Sequence, residues 1–210
     1  MAFVSFLLIA NVQGPKLFTW GPFILPVSIF VFPMTYVLSV AITEVYGYLA
    51  ARRVIWFAFF MNLVMALSFQ VAIQIPAMEE WMHQEAYATV LGFSSRVVAA
   101  SLTAYFVSEF LNAYLVSKLK VKHQGRNFWL RAILSMSIAE ALGTFVVITL
   151  AFAGTISFQA WWHLLVGYYC FKVTYAVIAT PILARVVKAI KAREQVDVFD
   201  SKTNFNPFGV

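Results

Sequence analysis

Five ionisable side chains lie inside or at the edges of long apolar runs: Glu44, Arg96, Glu109, Glu140 and Lys172. A charge near the centre of a lipid bilayer costs at least about 2.5 to 3.5 kcal/mol. Each of these groups therefore needs an oppositely charged partner, a water-filled cavity or a bound ligand. Residues of this kind indicate a binding site for a polar solute within the membrane.

Glu140 and Lys172 each fall near the middle of an apolar run. Because an α-helix rises about 1.5 Å per residue, the two side chains should lie at a similar depth. We therefore predict an ion pair between them. The pair either contacts a solute or only locks two helices together, and the sequence leaves both interpretations open.

Glu109 and Asn112 are one helical turn apart in the run SEFLNAYL, so both side chains should point the same way into a helix bundle. Arg96 lies about 20 Å away along the same helix and cannot pair with Glu109. We expect Arg96 to reach the outer interface with its long side chain, the alternative being contact with a ligand.

Glu44 directly follows an apolar run. It is predicted to cap the next segment, to form a salt bridge with Arg52 or Arg53, or to contact a solute. Asn11 adds neutral hydrogen-bonding capacity near the start of the chain, and such residues in membrane helices often join neighbouring helices.

The composition is that of an integral membrane protein. Apolar residues make up 62% of the 210 residues and charged residues only 11%, with a mean hydropathy of +0.81. In soluble domains, charged residues are nearer a quarter. The net charge of +6 comes from basic residues in short segments between apolar runs, which is typical of the positive-inside bias and argues against nucleic-acid binding.

Motifs for enzymatic chemistry are missing from the sequence. The three histidines lack metalloprotease spacing, and neither a nucleophile elbow nor a Walker A loop is present. The single cysteine, Cys170, allows no intrachain disulfide and no thiolate cluster. We therefore predict no enzymatic activity, no metal and no cofactor.

About 20 apolar residues cross a hydrocarbon core of about 30 Å, and six runs meet or approach that length. The predicted fold class is an all-α integral membrane protein with six transmembrane helices. The predicted spans are Met1 to Val12, Trp20 to Val40, Val54 to Ile75, Phe93 to Ser117, Phe128 to Phe152 and Trp162 to Val187. The first is short, and the alternative is a cleaved signal peptide, although no basic residues precede its apolar core.

Basic residues concentrate between spans two and three, between spans four and five, and after span six. By the positive-inside rule both termini should face the cytoplasm, as six spans also require. We predict a transmembrane domain over residues 1–193 and a flexible cytoplasmic tail over residues 194–210, because the tail can bury little apolar surface.

Span two contains Pro22, Pro26 and Pro33. Each proline removes a backbone donor and clashes with the preceding helical turn, so we predict a helix that is kinked or broken at these positions. Broken helices in membrane proteins often line a solute site, and the alternative is a bent helix that faces lipid.

Residues 43–56, TEVYGYLAARRVIW, resemble the signature of the queuosine precursor transporter family, also called the vitamin uptake transporter family. The segments ANVQGPKLF, FVSEFLNAYLVSKLK and YYCFKVTYAVIATP resemble further signatures of that family, in the expected order. The resemblance implies a six-helix importer in the bacterial inner membrane. Its substrates would be 7-deazaguanine compounds, such as 7-cyano-7-deazaguanine and 7-aminomethyl-7-deazaguanine, from which cells make the tRNA nucleoside queuosine.

Three positions at which family members usually have Asp hold Val40, Asn112 and Gly143 here. A guanine edge offers adjacent N–H donors, for which a carboxylate is a well-matched acceptor. Glu109 or Glu140 would supply that carboxylate in this chain.

The resemblance and the buried charges together predict a cavity between span two and spans four to six. A flat heterocycle would stack on aromatic side chains there, and transport would proceed by alternating access. Tyr168 and Tyr169 are candidates for stacking, although an aromatic side chain near a helix end also serves as an interface anchor. The predicted substrate-binding residues are Glu109, Asn112, Glu140, Lys172, Glu44, Asn11 and Tyr168.

The predicted partners are a small purine-like substrate and the lipid bilayer, with no nucleic acid. A homodimer is also expected, because six short helices leave considerable surface to share. Two other functions stay open. The chain could be the substrate-binding membrane subunit of an energy-coupling factor type transporter, which needs a separate ATPase module, or a non-transporting membrane scaffold or ligand sensor.

Overall fold

The structure, a computed structural model, describes residues 1–14, 16–20, 23–92, 95–152 and 154–209. Most of these residues are helical. The helices are α1 (Ala2–Gln13), α2 (Phe32–Gln74), α3 (Gln84–Leu91), α4 (Ser95–Lys122), α5 (Phe128–Phe152) and α6 (Phe158–Glu194). Strands β1 (Leu17–Trp20) and β2 (Phe23–Pro26) form an antiparallel hairpin, and a single 3-10 turn follows at Val27–Phe30.

Four helices in the described part of the chain, α2, α4, α5 and α6, are long and apolar enough to cross a membrane, and α1 is a shorter apolar helix. Their lengths and composition agree with the predicted all-α membrane architecture. Many large apolar side chains on these helices are exposed, as expected for surfaces that face lipid. The count of six spans stays a prediction.

Span two was predicted to be one helix broken at prolines. That prediction is wrong for the first half of the span, where the described residues are not helical. Trp20 and residues 23–26 belong to the two strands of the hairpin, and α2 begins only at Phe32. Pro33 lies in the first turn of α2, where a missing N–H costs nothing. Pro26 precedes the 3-10 turn, and Pro22 lies outside the described residues. Pro26 and Pro33 therefore precede or begin the helix and do not kink its interior.

The break in α2 is at Gly47, whose φ of 81° and ψ of 178° are not helical. Only glycine adopts this conformation readily. A straight α2 would be about 65 Å long, roughly twice the thickness of a hydrocarbon core. Gly47 divides it into two segments, α2a (residues 32–46) and α2b (residues 48–74).

The helices pack as two groups around α2. One buried apolar cluster joins α1, α2b and α4, and a second joins α2a, α5 and α6. The helix α4 also packs closely along α5. A Cβ atom at Gly143 of α5 would lie 2.8 Å from the Ser108 Cβ of α4, so glycine permits this close contact. Because the position has no room for a side chain, Gly143 cannot be replaced by Asp in this packing.

The tail, residues 195–209, packs against the break in α2. The backbone N–H of Val198 donates to the carbonyl of Val45 at 3.0 Å, and the Asp200 carboxylate accepts from the N–H of Tyr48 at 2.9 Å. A helix start leaves backbone N–H groups without intrahelical partners. Asp200 therefore caps α2b from a distant part of the sequence.

Beyond Asp200 the tail follows α2b. The backbone carbonyls of Phe205, Asn206 and Pro207 accept hydrogen bonds from the side chains of Tyr48, Arg52 and Trp56, at 2.8, 3.0 and 2.9 Å respectively. The Phe205 ring also lies 4.9 Å from the Tyr48 ring, measured between centroids. The tail therefore contacts α2b over several turns, and its flexibility stays a prediction.

We expect Asp200→Ala to loosen this segment. Loss of a helix cap costs about 0.5 to 2 kcal/mol, so the thermal unfolding midpoint should fall and trypsin should cut more rapidly after the exposed Lys202. Asp200→Asn keeps an acceptor oxygen and is the matched control, with a smaller effect on both measurements. An unchanged trypsin cleavage rate in Asp200→Ala would show that the cap does not hold the tail.

Candidate functional site

A small cavity lies between α2a, α5 and α6. Polar and aromatic residues that line it include Phe32, Tyr36, Glu140, Tyr168, Lys172 and Tyr175. Its volume is about 20 Å³. A water molecule needs about 10 to 15 Å³ measured in this way, so the cavity admits water but not a bicyclic heterocycle. The structure therefore shows this site in a closed form.

The predicted ion pair between Glu140 and Lys172 is confirmed. Lys172 Nζ lies 2.8 Å from Glu140 Oε2, and the two side chains are 12% and 3% exposed. Lys172 Nζ is also 3.5 Å from Thr144 Oγ1. The side chain of Tyr36, on α2a, also interacts with the Glu140 carboxylate. The pair is charged, buried and able to bind a further polar group.

Aromatic rings surround the ammonium group of this pair. Lys172 Nζ lies 4.7 Å from the centre of the Tyr168 ring and 5.3 Å from that of Phe32. Both distances fall within cation–π range. Tyr168, Lys172 and Tyr175 share one face of α6 through their i, i+4, i+7 spacing. The same spacing in the sequence could have identified Tyr175, which was not among the predicted site residues.

Glu109 and Asn112 both point into the bundle, as predicted, and are 2% and 0% exposed. The Ser39 hydroxyl of α2a donates to Glu109 Oε2 at 2.5 Å. The side-chain oxygen and nitrogen of Asn112 have no hydrogen-bond partner among the described residues. Ser39 was missed because a single serine in an apolar run gives no signal of its own.

Ser39 lies one helical turn from Tyr36, and Tyr36 lines the cavity. The helix α2a therefore connects Glu109 to the site formed by Glu140 and Lys172. The two carboxylates influence each other electrostatically, which places both in one polar region of the bundle. Three of the seven predicted substrate-binding residues, Glu140, Tyr168 and Lys172, line the cavity, and Glu109 contacts α2a one turn from the cavity wall through Ser39.

The prediction that Glu44 forms a salt bridge with Arg52 or Arg53 is wrong. The buried carboxylate of Glu44 accepts hydrogen bonds from both guanidinium NH groups of Arg131, at 2.8 and 3.1 Å, and from Lys191 Nζ at 2.8 Å. Lys120 Nζ is 4.0 Å away. The break at Gly47 separates Glu44 from the following Arg pair, so partners from α4, α5 and α6 reach it instead.

This group of residues, Glu44, Lys120, Arg131 and Lys191, is called the charged end of the bundle below. In the sequence its basic members indicate only the orientation in the membrane, because a single sequence does not show which helices meet. Lys120 also donates to the backbone carbonyls of Glu44 and Val198, which fixes the tail to α2a. The charged end therefore holds four helices and the tail together.

Asp197 of the tail joins the charged end through Lys120 and Lys191, which lie 2.5 and 2.9 Å from its carboxylate. Partial burial acts to raise the pKa of Asp197. The hydrogen bonds from both lysines outweigh that effect and hold the pKa below its ordinary value. The carboxylate therefore stays ionised at neutral pH and balances part of the local positive charge.

Two further predicted residues lie away from the cavity. Asn11 of α1 donates to the Asn62 side chain of α2b at 2.8 Å, so it joins neighbouring helices. Arg96 is exposed near the start of α4, and its Nε donates to the carbonyl of Leu150. Its exposure agrees with a position at the rim of the bundle, and its contact with the outer interface stays a prediction. The structure places neither Asn11 nor Glu44 among the residues that line the cavity.

Sequence comparison extends these observations. A family model described as "Putative vitamin uptake transporter" matches residues 26–186, which include every residue that lines the cavity. The chain belongs to this family. The family named from the sequence motifs is thereby confirmed. The charged end continues beyond the matched region, since Lys191 and the tail follow residue 186.

A similar curated protein is the "Probable queuosine precursor transporter" of Bacillus subtilis (strain 168). It is 27% identical over 155 residues, which cover 73% of this chain and 68% of that protein. No solved structure matches the chain. Family membership and the apolar helices together make the chain a multi-pass membrane protein of a transport family.

Proposed function

We propose that the protein imports 7-deazaguanine precursors of queuosine across the bacterial inner membrane. The observation that carries this proposal is the Glu140–Lys172 pair, which lies buried beside a cavity and among aromatic rings. The name of the similar Bacillus subtilis protein supports the choice of substrate. Transport, and not catalysis, is the activity that this family membership favours.

The chemistry of the site fits a flat, polar heterocycle. Aromatic faces such as those of Phe32 and Tyr168 would stack on its rings. Glu140 would accept the adjacent N–H donors of the guanine edge, and Lys172 would donate to the neighbouring carbonyl. Binding would thus replace one salt bridge with two charge-assisted contacts to the ligand.

Alternating access would open the closed cavity first to one side of the membrane and then to the other. The break at Gly47 supports this mechanism, because it lets α2a, which carries Phe32 and Tyr36, move separately from α2b. We count six spans in this scheme: α1, α2a, α2b, α4, α5 and α6. The charged end would then face the cytoplasm with both termini, as the positive-inside rule requires.

Direct binding measurements on the purified protein in nanodiscs test the substrate. We expect 7-cyano-7-deazaguanine or 7-aminomethyl-7-deazaguanine to bind, and guanine, riboflavin and biotin to bind at least about tenfold more weakly, a difference of about 1.4 kcal/mol. Guanine is the matched control because it keeps the polar edge of the ligand and changes the five-membered ring. Preferential binding of riboflavin or biotin would contradict the substrate assignment.

Uptake into liposomes that contain only this protein tests the transport step. We expect radiolabelled substrate to enter, and excess unlabelled substrate to block its entry. Binding without uptake would identify a substrate-binding subunit that needs an ATPase module. If none of these ligands bound at all, the result would favour a scaffold or a sensor of another ligand. Crosslinking in native membranes tests the expected homodimer.

A further inference from the structure

The structure describes three buried glutamates, and their charges are compensated in different ways. Glu44 has Arg131 and Lys191 within 2.8 Å, and Glu140 has Lys172 within 2.8 Å. For Glu109, no Lys, Arg or His lies within 4.0 Å in the described part of the chain. Its recorded hydrogen bond is with the neutral hydroxyl of Ser39.

An ionised carboxylate without a cation is costly in a membrane interior, where no bulk water solvates it. Three titratable groups influence Glu109 electrostatically: Tyr36 on α2a, Tyr105 on α4 itself and Glu140 on α5. All three are neutral or acidic, and Lys172 already matches the charge of Glu140. Protonation would make Glu109 neutral. It would thereby remove a buried charge that no described basic side chain balances.

Asn112 is a second, independent sign that a polar species visits this place. It is completely buried, and both polar atoms of its amide group lack partners among the described residues. Buried polar groups nearly always have a hydrogen-bond partner, so an unpartnered pair of atoms calls for a water molecule or a transient ligand. Asn112 lies one turn from Glu109 on the same side of α4, where its amide could bond to either form of the carboxyl group.

The position of Ser39 would transmit a change at Glu109 to the cavity. Ionised Glu109 accepts the Ser39 hydroxyl at 2.5 Å, whereas a protonated carboxyl offers a donor and a weaker acceptor in its place. Ser39 and Tyr36 are one turn apart on α2a, and Tyr36 forms part of the cavity wall. Because α2a ends at the break at Gly47, it can shift without moving α2b.

We propose that Glu109 is the proton-carrying residue that couples import to the proton gradient. This inference rests on the proposed function. The Glu109 carboxylate takes one proton from the outer side. The protein with protonated Glu109 and bound substrate then changes from the outward-open to the inward-open form. Glu109 then releases the proton to the cytoplasm after the cavity opens inward. No bond to the substrate forms or breaks, and the energy comes from the downhill movement of the proton.

The test uses the full chain in liposomes whose outer solution is more acidic than the lumen. The wild type should accumulate radiolabelled 7-cyano-7-deazaguanine above its outside concentration, and a trapped pH dye should report that protons enter with it. Glu109→Gln removes the group that would carry the proton and keeps a side chain of similar size. The variant should exchange labelled for unlabelled compound across the membrane, but should not accumulate it.

Glu109→Asp keeps the carboxyl group and is the matched control, which should retain accumulation and proton entry. If Glu109→Gln fails to fold, the dye signal of the wild type still decides whether import is coupled to protons, and a wild type without proton entry overturns the proposal. Accumulation by Glu109→Gln, accumulation driven by a sodium gradient, or substrate entry without protons would each overturn the coupling role and leave the proposed importer intact. Failure of the wild type to bind or exchange any 7-deazaguanine would instead remove the proposed function, and the coupling role with it.

Discussion

Lys172→Met will abolish uptake while the protein still inserts into the membrane. The substitution keeps most of the side-chain volume but leaves Glu140 buried without its cation. Removing one partner of a buried pair costs about 3 to 5 kcal/mol of folding stability. The ligand would also lose a hydrogen bond from a charged group, worth about 1.5 to 3 kcal/mol, which corresponds to a loss of about 10- to 100-fold in substrate affinity. Glu140→Gln should have a similar effect, because the neutral amide can no longer attract the N–H donors of the ligand.

The double variant Glu140→Gln with Lys172→Met separates a binding role from a structural one. Removing both charges of a buried pair is often neutral for stability. We therefore expect the double variant to unfold near the wild-type temperature and still to show no uptake. Recovery of uptake in the double variant would mean that the pair only joins α5 to α6.

Thr174→Val is the matched control for both experiments. Thr174 lies two residues after Lys172 on the same helix, is exposed, and donates its hydroxyl to the backbone carbonyl of Cys170. Its replacement changes a polar group of α6 without touching the ion pair. Uptake per inserted molecule should stay close to wild type, and a comparable loss in Thr174→Val would show that the assay responds to general damage to α6.

The sequence predicted the centre of the site well because a charge in an apolar run has few tolerable neighbours. Glu140 and Lys172 fall at similar depths on helices that are adjacent in the chain, so the pair required no knowledge of the tertiary fold. The inward direction of Glu109 and Asn112 followed from helical spacing alone. Local geometry and the cost of burying charge were sufficient in both cases.

The partners of Glu44 could not be predicted in the same way. Arg131 and Lys191 lie 87 and 147 residues from Glu44. In the sequence they are only basic residues near helix ends, and nearer candidates, Arg52 and Arg53, were available. The decisive feature is the backbone turn at Gly47, and a glycine in an apolar segment has several possible meanings before the structure is known.

The contacts of the tail with α2b and α4 could not be predicted from its composition. Its polar composition predicts disorder, but Phe205 and Phe208 lie against aromatic side chains of α2b and α4. The Asp200 carboxylate accepts a hydrogen bond from the backbone N–H of Tyr48. An average composition of the tail cannot show that a few of its groups contact α2b and α4.

The hairpin before α2 was not predicted, because its apolar residues resemble part of a membrane span.

Arg131→Met should be the most destabilising single substitution at the charged end. Arg131 is 1% exposed and makes two hydrogen bonds to the Glu44 carboxylate, at 2.8 and 3.1 Å. Its loss leaves Glu44 with Lys191 alone at close range, and breaking a buried pair costs about 3 to 5 kcal/mol. For a chain of this length each kcal/mol lowers the unfolding midpoint by about 2 to 4 °C. We expect a fall of about 6 to 20 °C, measured by tryptophan fluorescence in detergent.

A second set of variants should show that the charged end affects stability and not substrate affinity. Arg131→Lys keeps the charge but loses the two-pronged geometry, so its midpoint should lie between those of Arg131→Met and wild type. Glu44→Gln should also lower the midpoint, because three basic groups then lose their shared carboxylate. Substrate affinity of the protein that remains folded should stay within about twofold of wild type, since neither Glu44 nor Arg131 lines the cavity. A large loss of affinity in Glu44→Gln at an unchanged midpoint would instead return Glu44 to the substrate site, where the sequence first placed it.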